Sequence, residues 1–390
     1  TVAIADRAFS GCTGLTSITI PDSVTSIAVY AFSDCTGLQR VYINDLSKLL
    51  NISFANKSSN PLYYAKNLYL NNSLVTNLVI PNGIININNW VFFENTSIVS
   101  ISIPASVEYI SPLAFAGCSE LKSIVVNSGN KKYVSKGNCL IEQIKNDGDK
   151  IILGCKTSTI PQYTEIPDQI KYIGEYAFYK CDKLQGTVNV LKAVSIGEYA
   201  FYGCTGLTGI SFGPDLKEIG NYSFYGCTGL TSLTLRNTNK TVFPTIGNYA
   251  FYGCTGLTSL SLGQTNTIGN HAFSGCTGLT TITLPDSVTD IGDGAFLNCS
   301  KLTTVVLGKH LKKIGNSAFR ECKSLTDVTI SGNVTSIGNQ AFSFCKLSTI
   351  NYSGTKAQWK SITKGRNWNM QSGAYTVRCT DGDLKKADDN

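Results

Sequence analysis

The sequence predicts an α/β solenoid, and three observations carry that prediction. The phrase Ile268-Gly-Asn-His-Ala-Phe-Ser-Gly-Cys-Thr-Gly-Leu-Thr-Thr-Ile-Thr-Leu-Pro-Asp-Ser-Val-Thr-Asp290 begins again at Ile291, a period of 23 residues. A period of roughly 20–50 residues marks stacked units that bury their apolar sides against one another. Within the phrase, Ile282 and Leu284 alternate with Thr281 and Thr283, the period-two signal of a strand with one buried face. The cysteines keep the same interval: Cys12 and Cys35, then Cys181, Cys204 and Cys227, then Cys276, Cys299, Cys322 and Cys345 are each 23 apart.

Each part of the unit has its own physical reason. Pro285-Asp286 stops the strand, because proline has no N–H for a ladder. Asn270–Cys276 is too short for a stable α-helix and reads as one helical or 3₁₀ turn on the outer side, ended at Gly275. Stacking places the strands side by side in one parallel sheet, about 4.8 Å apart. The repeated cysteine beside Phe and Leu reads as a small buried hydrophobe rather than part of a disulfide framework. Cys139 and Cys155 fall outside that register, where pairing across a hairpin stays open.

The motif Ala272-Phe273-x-x-Cys276-x-x-Leu279, followed by Ile282-x-Leu284-Pro285, resembles the BspA-like leucine-rich repeat family, and the resemblance covers nearly the whole chain. Those are surface and secreted proteins, chiefly of mucosa-associated bacteria. The resemblance implies a leucine-rich repeat right-handed superhelix, with the parallel sheet on the concave face and short helical turns on the convex face. It also implies adhesin-like recognition of a host or bacterial surface protein or glycan, without a cofactor.

Taken in order, residues 1–380 read as a single solenoid, with strands at Leu15–Ile20 and Leu38–Ile43. The pattern breaks over about 44–86: Leu46–Ile52 suggests a helical turn, Asn56–Pro61 a polar loop, and Leu68–Val75 a hairpin around Asn71-Asn72. Asn95 stands in the cysteine slot 23 residues before Cys118. A second break spans about 127–165, where Tyr133–Ile144 and Lys150–Cys155 flank Asn146-Asp-Gly-Asp, a hairpin signal. Residues 168–346 are the most regular run, and Lys183–Val190 carries one extra strand residue, a bulge. Residues 350–380 read as a cap, with Thr355 as the N-cap of a short helix and Ala374–Cys379 as a closing strand. Residues 381–390 read as a loose polar tail.

Composition excludes several functions. The net charge of +7 lies in small clusters such as Lys131-Lys132, Lys309–Lys313 and Lys385-Lys386. No basic stripe with stacking aromatics appears, so no nucleic-acid partner is expected. The two histidines, His271 and His310, belong to no metal or catalytic motif, and no Cys-x-x-Cys, Gly-x-Ser-x-Gly or phosphate-binding loop occurs. No catalytic residues, metal site or cofactor are therefore expected. No apolar run is long enough to span a bilayer. The chain opens inside a unit, with Ile4, Ala8, Phe9 and Cys12 matching Ile268, Ala272, Phe273 and Cys276. A signal peptide and an anchor are thus expected outside these residues, on an extracellular or cell-surface protein.

Two repeated surfaces are candidates for binding. One is the strand face, whose exposed slots hold Thr208 and Ser211, Thr231 and Thr234, Thr258 and Ser261, Thr280 and Thr283. Cross-strand threonine pairing is a sufficient structural reason for these residues. The other is a double row of tyrosines three residues apart: Tyr176/Tyr179, Tyr199/Tyr202, Tyr222/Tyr225 and Tyr249/Tyr252. Packing of neighbouring rings over the turns is the structural alternative there. A passive spacer carrying another domain competes with recognition. An ice- or crystal-binding threonine lattice is disfavoured, because Gln39, Tyr42, Val99 and Lys122 interrupt the ladder.

Overall fold

A computed structural model gives the fold of residues 2–136, 138–145, 147–154, 169–235 and 242–388, and of 163–164 by backbone alone. There are two compact units, Thr1–Pro161 with Ile173–Leu184, and Gln162–Tyr172 with Gln185–Asn390. The pairing of Cys139 with Cys155 left open by the sequence involves a residue, Cys155, outside those described; Cys139 itself is a buried free thiol.

The second unit is a β-solenoid whose coils have three sides. The first is the expected strand. Thr281–Thr283, Thr304–Val306, Asp327–Ile330 and Thr349–Tyr352 pair in parallel, with Ile282 opposite Val305, Val305 opposite Val328, and Val328 opposite Ile350. Those four side chains are buried, while Thr281 and Thr283 face outward. A register shift does lie between Gly186 and Thr187, but with Gly186 opposite Leu207 and Thr187 opposite Gly209 it leaves Thr208 of the partner strand unpaired, rather than a residue of Lys183–Val190.

The second side is a ladder the sequence pattern did not reveal. Two-residue strands at Ser195–Ile196, Glu218–Ile219, Thr245–Ile246, Thr267–Ile268, Asp290–Ile291, Lys313–Ile314 and Ser336–Ile337 pair in parallel from coil to coil. Two residues are too few to show an alternation, so only the recurring Ile-Gly marked them. The glycine after each isoleucine is obligatory for close approach: a Cβ on Gly292 would sit 2.6 Å from the backbone carbon of Gly269. The next residue stitches the coils, each backbone N–H reaching the side-chain oxygen one coil earlier. The run is Asn248 to Asn221, Asn270 to Asn248, Asp293 to Asn270, Asn316 to Asp293 and Asn339 to Asn316, at 2.7–2.8 Å.

The third side corrects the expectation of helical turns. Tyr199, Tyr222 and Tyr249 have φ of +54° to +56°, and Gly203, Gly226 and Gly253 have φ of +69° to +71°. Two left-handed residues per segment are incompatible with an α- or 3₁₀-helix. They turn alternate N–H groups along the stack. Tyr199 donates to Asn221 O at 3.0 Å, Phe201 to Ser223 O at 2.7 Å and Gly203 to Tyr225 O at 2.8 Å.

The core is a column of phenylalanines. Phe201, Phe224, Phe251, Phe273, Phe296, Phe319 and Phe342 stack at 5.0–5.4 Å with ring planes within 7°. Beside it, the cysteines are more than small hydrophobes. Each thiol donates to the phenylalanine carbonyl of the preceding coil, as from Cys227 to Phe201 (3.1 Å), Cys254 to Phe224 (3.2 Å) and Cys299 to Phe273 (3.3 Å). Burial pushes the Cys254 and Cys345 thiols up to about 12, so they stay protonated and able to donate.

The first unit has the same coil with two interruptions. In the first, Leu46–Leu50 is helical, N-capped by Asp45, and Leu62–Ala65 is a second short helix after Lys57–Ser59. Leu68–Leu70 and Ser73–Leu74 form the expected hairpin, with Asn71 and Asn72 at φ +49° and +64°. In the second, the expected hairpin is a three-stranded antiparallel meander of Tyr133–Lys136, Cys139–Glu142 and Asp149–Gly154. The additional reversal comes at Asn138, whose φ is +57°, inside what the apolar pattern reads as one strand. Buried asparagines take up the stranded backbone groups. Asn60 binds Trp90 O, Val91 O and Leu62 N; Asn95 accepts from Ser97 N and Ile98 N; Asn130 binds Pro104 O, Val107 O and Tyr133 N.

At the other end, Thr355 caps helix Lys356–Ser361, with its hydroxyl accepting from Gln358 N and Gln358 accepting from Thr355 N. Thr376–Cys379 adds the closing strand, but Gly382–Lys385 then pairs antiparallel to it, so this part of the expected loose tail is a strand.

The close approach of coils predicts a sharp contrast between two glycines. Gly292→Ala drives a Cβ into backbone and should cost about 1–3 kcal/mol or more. Gly226→Ala meets nothing within 4 Å and carries only its left-handed strain, about 1 kcal/mol. Urea unfolding of both variants checks this, with Gly292→Ala expected to be the less stable.

Candidate functional site

The tyrosines of the second unit form two continuous stacks. Tyr199, Tyr222 and Tyr249 lie 4.8 Å apart with planes within 3°, and His271 extends the column on Tyr249 at 4.8 Å. His271 thus occupies a tyrosine slot, and its ring overhangs Gly294, where a Cβ would clash with it. Tyr202, Tyr225 and Tyr252 form the second column at 4.8 Å and 6°. The two columns approach to 5.7–6.0 Å within each coil. Every face between neighbours is therefore spent on a neighbour. This burial, then the adjoining phenols, push the Tyr199, Tyr222 and Tyr225 hydroxyls above their ordinary range. Stacking also offsets the left-handed backbone under the first column.

In the first unit, Tyr176 and Tyr179 are 5.4 Å apart, and Tyr179 reaches Phe93 at 5.9 Å. The coil between them carries Ala116 and Gly117 at the matching positions, and a Cβ on Gly117 would meet Glu94 Cγ at 2.7 Å. That notch lets Lys180 reach Glu94 at 2.7 Å, while Lys66 holds the other oxygen at 2.9 Å.

The strand face divides by hydrogen bonding. Thr231 Oγ1 donates to Thr208 O, Thr258 Oγ1 to Thr231 O and Thr303 Oγ1 to Thr280 O, at 3.0–3.1 Å. That column, just outside or at the start of the strands, is part of the ladder. The second slot differs: Ser211, Thr234, Ser261 and Thr283 make no side-chain hydrogen bond among the described residues. Their true neighbours on the face are the residues two earlier, Gly209, Ser232, Ser259 and Thr281, which were not among the residues singled out from sequence. Period two, counted back from Thr283, leads to Thr281 rather than Thr280.

Across Gly186–Val190, Leu207–Phe212 and Ser232–Thr234 this face sinks into an open groove of about 760 Å³. It brings together Ser211 and Thr234 with Thr187, Asn189, Gly209 and Ser232, and with Leu191, Lys192 and Pro214 at its rim. On the first unit the face changes character, with Tyr42 against Tyr69 at 5.0 Å and Val79 and Val125 at 63% and 54% exposure.

The BspA-type leucine-rich repeat region matches in six copies, over residues 1–69, 63–146, 154–243 and 244–363. The chain belongs to the BspA-type leucine-rich repeat family. A leucine-rich repeat protein from Eubacterium ventriosum is similar over 76% of this chain and 79% of its own, at 25% identity and a TM-score of 0.52. A leucine rich cell surface protein from Faecalibacterium prausnitzii is similar over 93% of this chain and 86% of its own, at 21% identity and a TM-score of 0.42. The pneumococcal vaccine antigen PcpA covers 97% of this chain with 84% of its own, at 15% identity and a TM-score of 0.44. No curated protein matches the chain.

The BspA-type scaffold is of the kind typical of bacterial surface proteins. Among the described residues no cluster of three His, Cys, Asp or Glu side chains is placed to hold a metal, and no helix is long and apolar enough to cross a membrane.

Glu94 gives this BspA-type chain a defined acid sensitivity. Burial works against its charge, but hydrogen bonds and attraction from Lys180 and Lys66 outweigh it and lower the carboxyl from its ordinary 4.5. A carboxyl lowered in the folded state contributes stability that is present above the unfolded value and lost as pH falls through the folded value. Glu94→Gln should therefore be less stable than the parent near neutral pH, and the gap should close as pH falls through the lowered folded-state value of Glu94. Urea midpoints measured across that range check it.

Proposed function

We propose that this chain is a non-catalytic recognition scaffold, displayed at a cell surface or secreted, that binds a surface protein or glycan on its strand face. The observation that carries the reading is the contrast between the two strand-face columns. Thr231, Thr258 and Thr303 spend their hydroxyls on the ladder, while Ser211, Thr234, Ser261 and Thr283 make no side-chain hydrogen bond among the described residues. The ladder is complete without the second column, so those hydroxyls are available to a partner at no cost to the fold. The outer tyrosines Tyr176, Tyr179, Tyr199, Tyr202, Tyr222, Tyr225, Tyr249 and Tyr252 are the weaker surface, because most of their ring faces are already stacked. Membership of a family typical of bacterial surface proteins supports the location.

Two variants separate the surfaces on an array of matrix proteins, mucin glycans and bacterial polysaccharides. One carries Ser211→Lys with Ser261→Glu on the strand face; the other carries Tyr199→Ser, Tyr202→Ser, Tyr222→Ser and Tyr225→Ser. Saturable binding lost in the first and kept in the second is the expected result. Loss only in the tyrosine variant would move recognition to the outer face. Absence of any saturable binding by the folded parent would favour a passive spacer.

A further inference from the structure

Resting on the strand-face reading above, we infer that the groove over Gly186–Val190, Leu207–Phe212 and Ser232–Thr234 is a subsite for a neutral saccharide. The site begins with a missing side chain. Gly209 sits in the outward slot opposite Thr187, and a Cβ there would lie 2.7 Å from Thr187 Oγ1. Sister strands fill this slot with Ser259, Thr281 or Thr304. With no side chain at Gly209, the Thr187 hydroxyl leans over that slot, and the groove lies beside it, where the register shift also falls.

The walls of the groove carry free hydrogen-bonding capacity. Thr187, Asn189, Ser211, Ser232 and Thr234 line it, and none makes a side-chain hydrogen bond among the described residues. Four hydroxyls and one carboxamide each offer both a donor and an acceptor. A sugar ring presents the same mixed chemistry in vicinal hydroxyls, so each can be met without stranding a charge. The aliphatic rim adds a second feature: Leu191 is 55% exposed on this otherwise polar face, with exposed Pro214 beside it. Such a rim suits the C–H side of a pyranose. The volume of about 760 Å³ falls in the usual range of ligand pockets, and its open form lets a longer chain run through.

Other ligand classes fit less well. The floor is the face of a paired sheet whose backbone groups are committed to the ladder, so a peptide cannot add there as a strand. Among the described residues the lining offers no arginine and one aromatic, Phe212, which is 2% exposed, so they provide none of the usual protein hot-spot anchors. Among the described residues Lys192 is the only charged side chain lining it, so these residues offer an anionic polymer no second cation.

The test is saturation-transfer NMR on the full chain with N-acetylchitotriose, cellotriose and mannotriose, set against a heparin tetrasaccharide and trigalacturonate. A matrix-protein array runs in parallel. Signal from a neutral trisaccharide, absent from both anionic probes, is expected. It should weaken by about tenfold in Asn189→Ala/Ser232→Ala, the loss appropriate to two neutral hydrogen bonds. It should be lost in Gly209→Thr, whose side chain takes the place of the Thr187 hydroxyl and pushes it into the groove. Circular dichroism confirms folding; should Gly209→Thr misfold, the exposed-site double variant decides alone. Trisaccharide signal unchanged in the double variant, or anionic probes preferred, overturns the proposal. Saturable binding of a matrix protein with no trisaccharide signal also overturns it, and leaves the recognition reading standing. Silence from sugars and proteins alike overturns both.

Discussion

Backbone groups on all three sides of a coil are satisfied by the next coil, and the rest of the structure depends on that constraint. The strand, the two-residue ladder and the outer turn each donate along the stack, so the coils must keep one spacing throughout. A spacing near that of a sheet fixes what each position can hold. Gly269, Gly292 and Gly315 leave no room for a Cβ against the preceding backbone. Phenylalanine rings fit the interval because a parallel stack at 5.0–5.4 Å needs little adjustment. A buried cysteine can reach the carbonyl one coil back, where serine or alanine would lose the reach or the donor.

The same spacing decides which surfaces remain for function. Side chains that stack face to face on the outer turn use up their rings, as the tyrosine columns do. Threonines beside a carbonyl of the previous coil use up their hydroxyls. What is left over is the outward strand slot, whose side chains stand clear of the ladder. Variation there is inexpensive for the fold, which is why glycine, serine, threonine, tyrosine and valine all occur on it, from Gly209 to Tyr42 and Val79. A repeat protein that needs a stable stack and a variable partner surface has both on one coil.

The strand and its buried residues were legible in the sequence because Ile282-x-Leu284 shows the pleat directly. The hairpin at Asn71-Asn72 and the cap at Thr355 were legible because turn and capping residues act locally. The second ladder was not, since two residues display no period. The outer segment was read as helical because i, i+3 spacing of Tyr199 and Tyr202 is shared by any tight turn. Only the left-handed φ at Tyr199 distinguishes them. The candidate groove was half visible: Ser211 and Thr234 were singled out, while Thr187, Asn189 and Ser232 were not. The groove beside Gly209 depends on what lies one coil away, and a single unit cannot show that.

Amide hydrogen exchange resolved to the outer turns tests the central claim most directly. If coil-to-coil hydrogen bonding organises the molecule, the N–H groups of Phe201, Phe224 and Phe251, each donating to the next coil at 2.7 Å, should exchange as slowly as Ile282 and Val305 in the strands. Exchange at those phenylalanines as fast as in an exposed loop, with the strands still protected, would contradict the account.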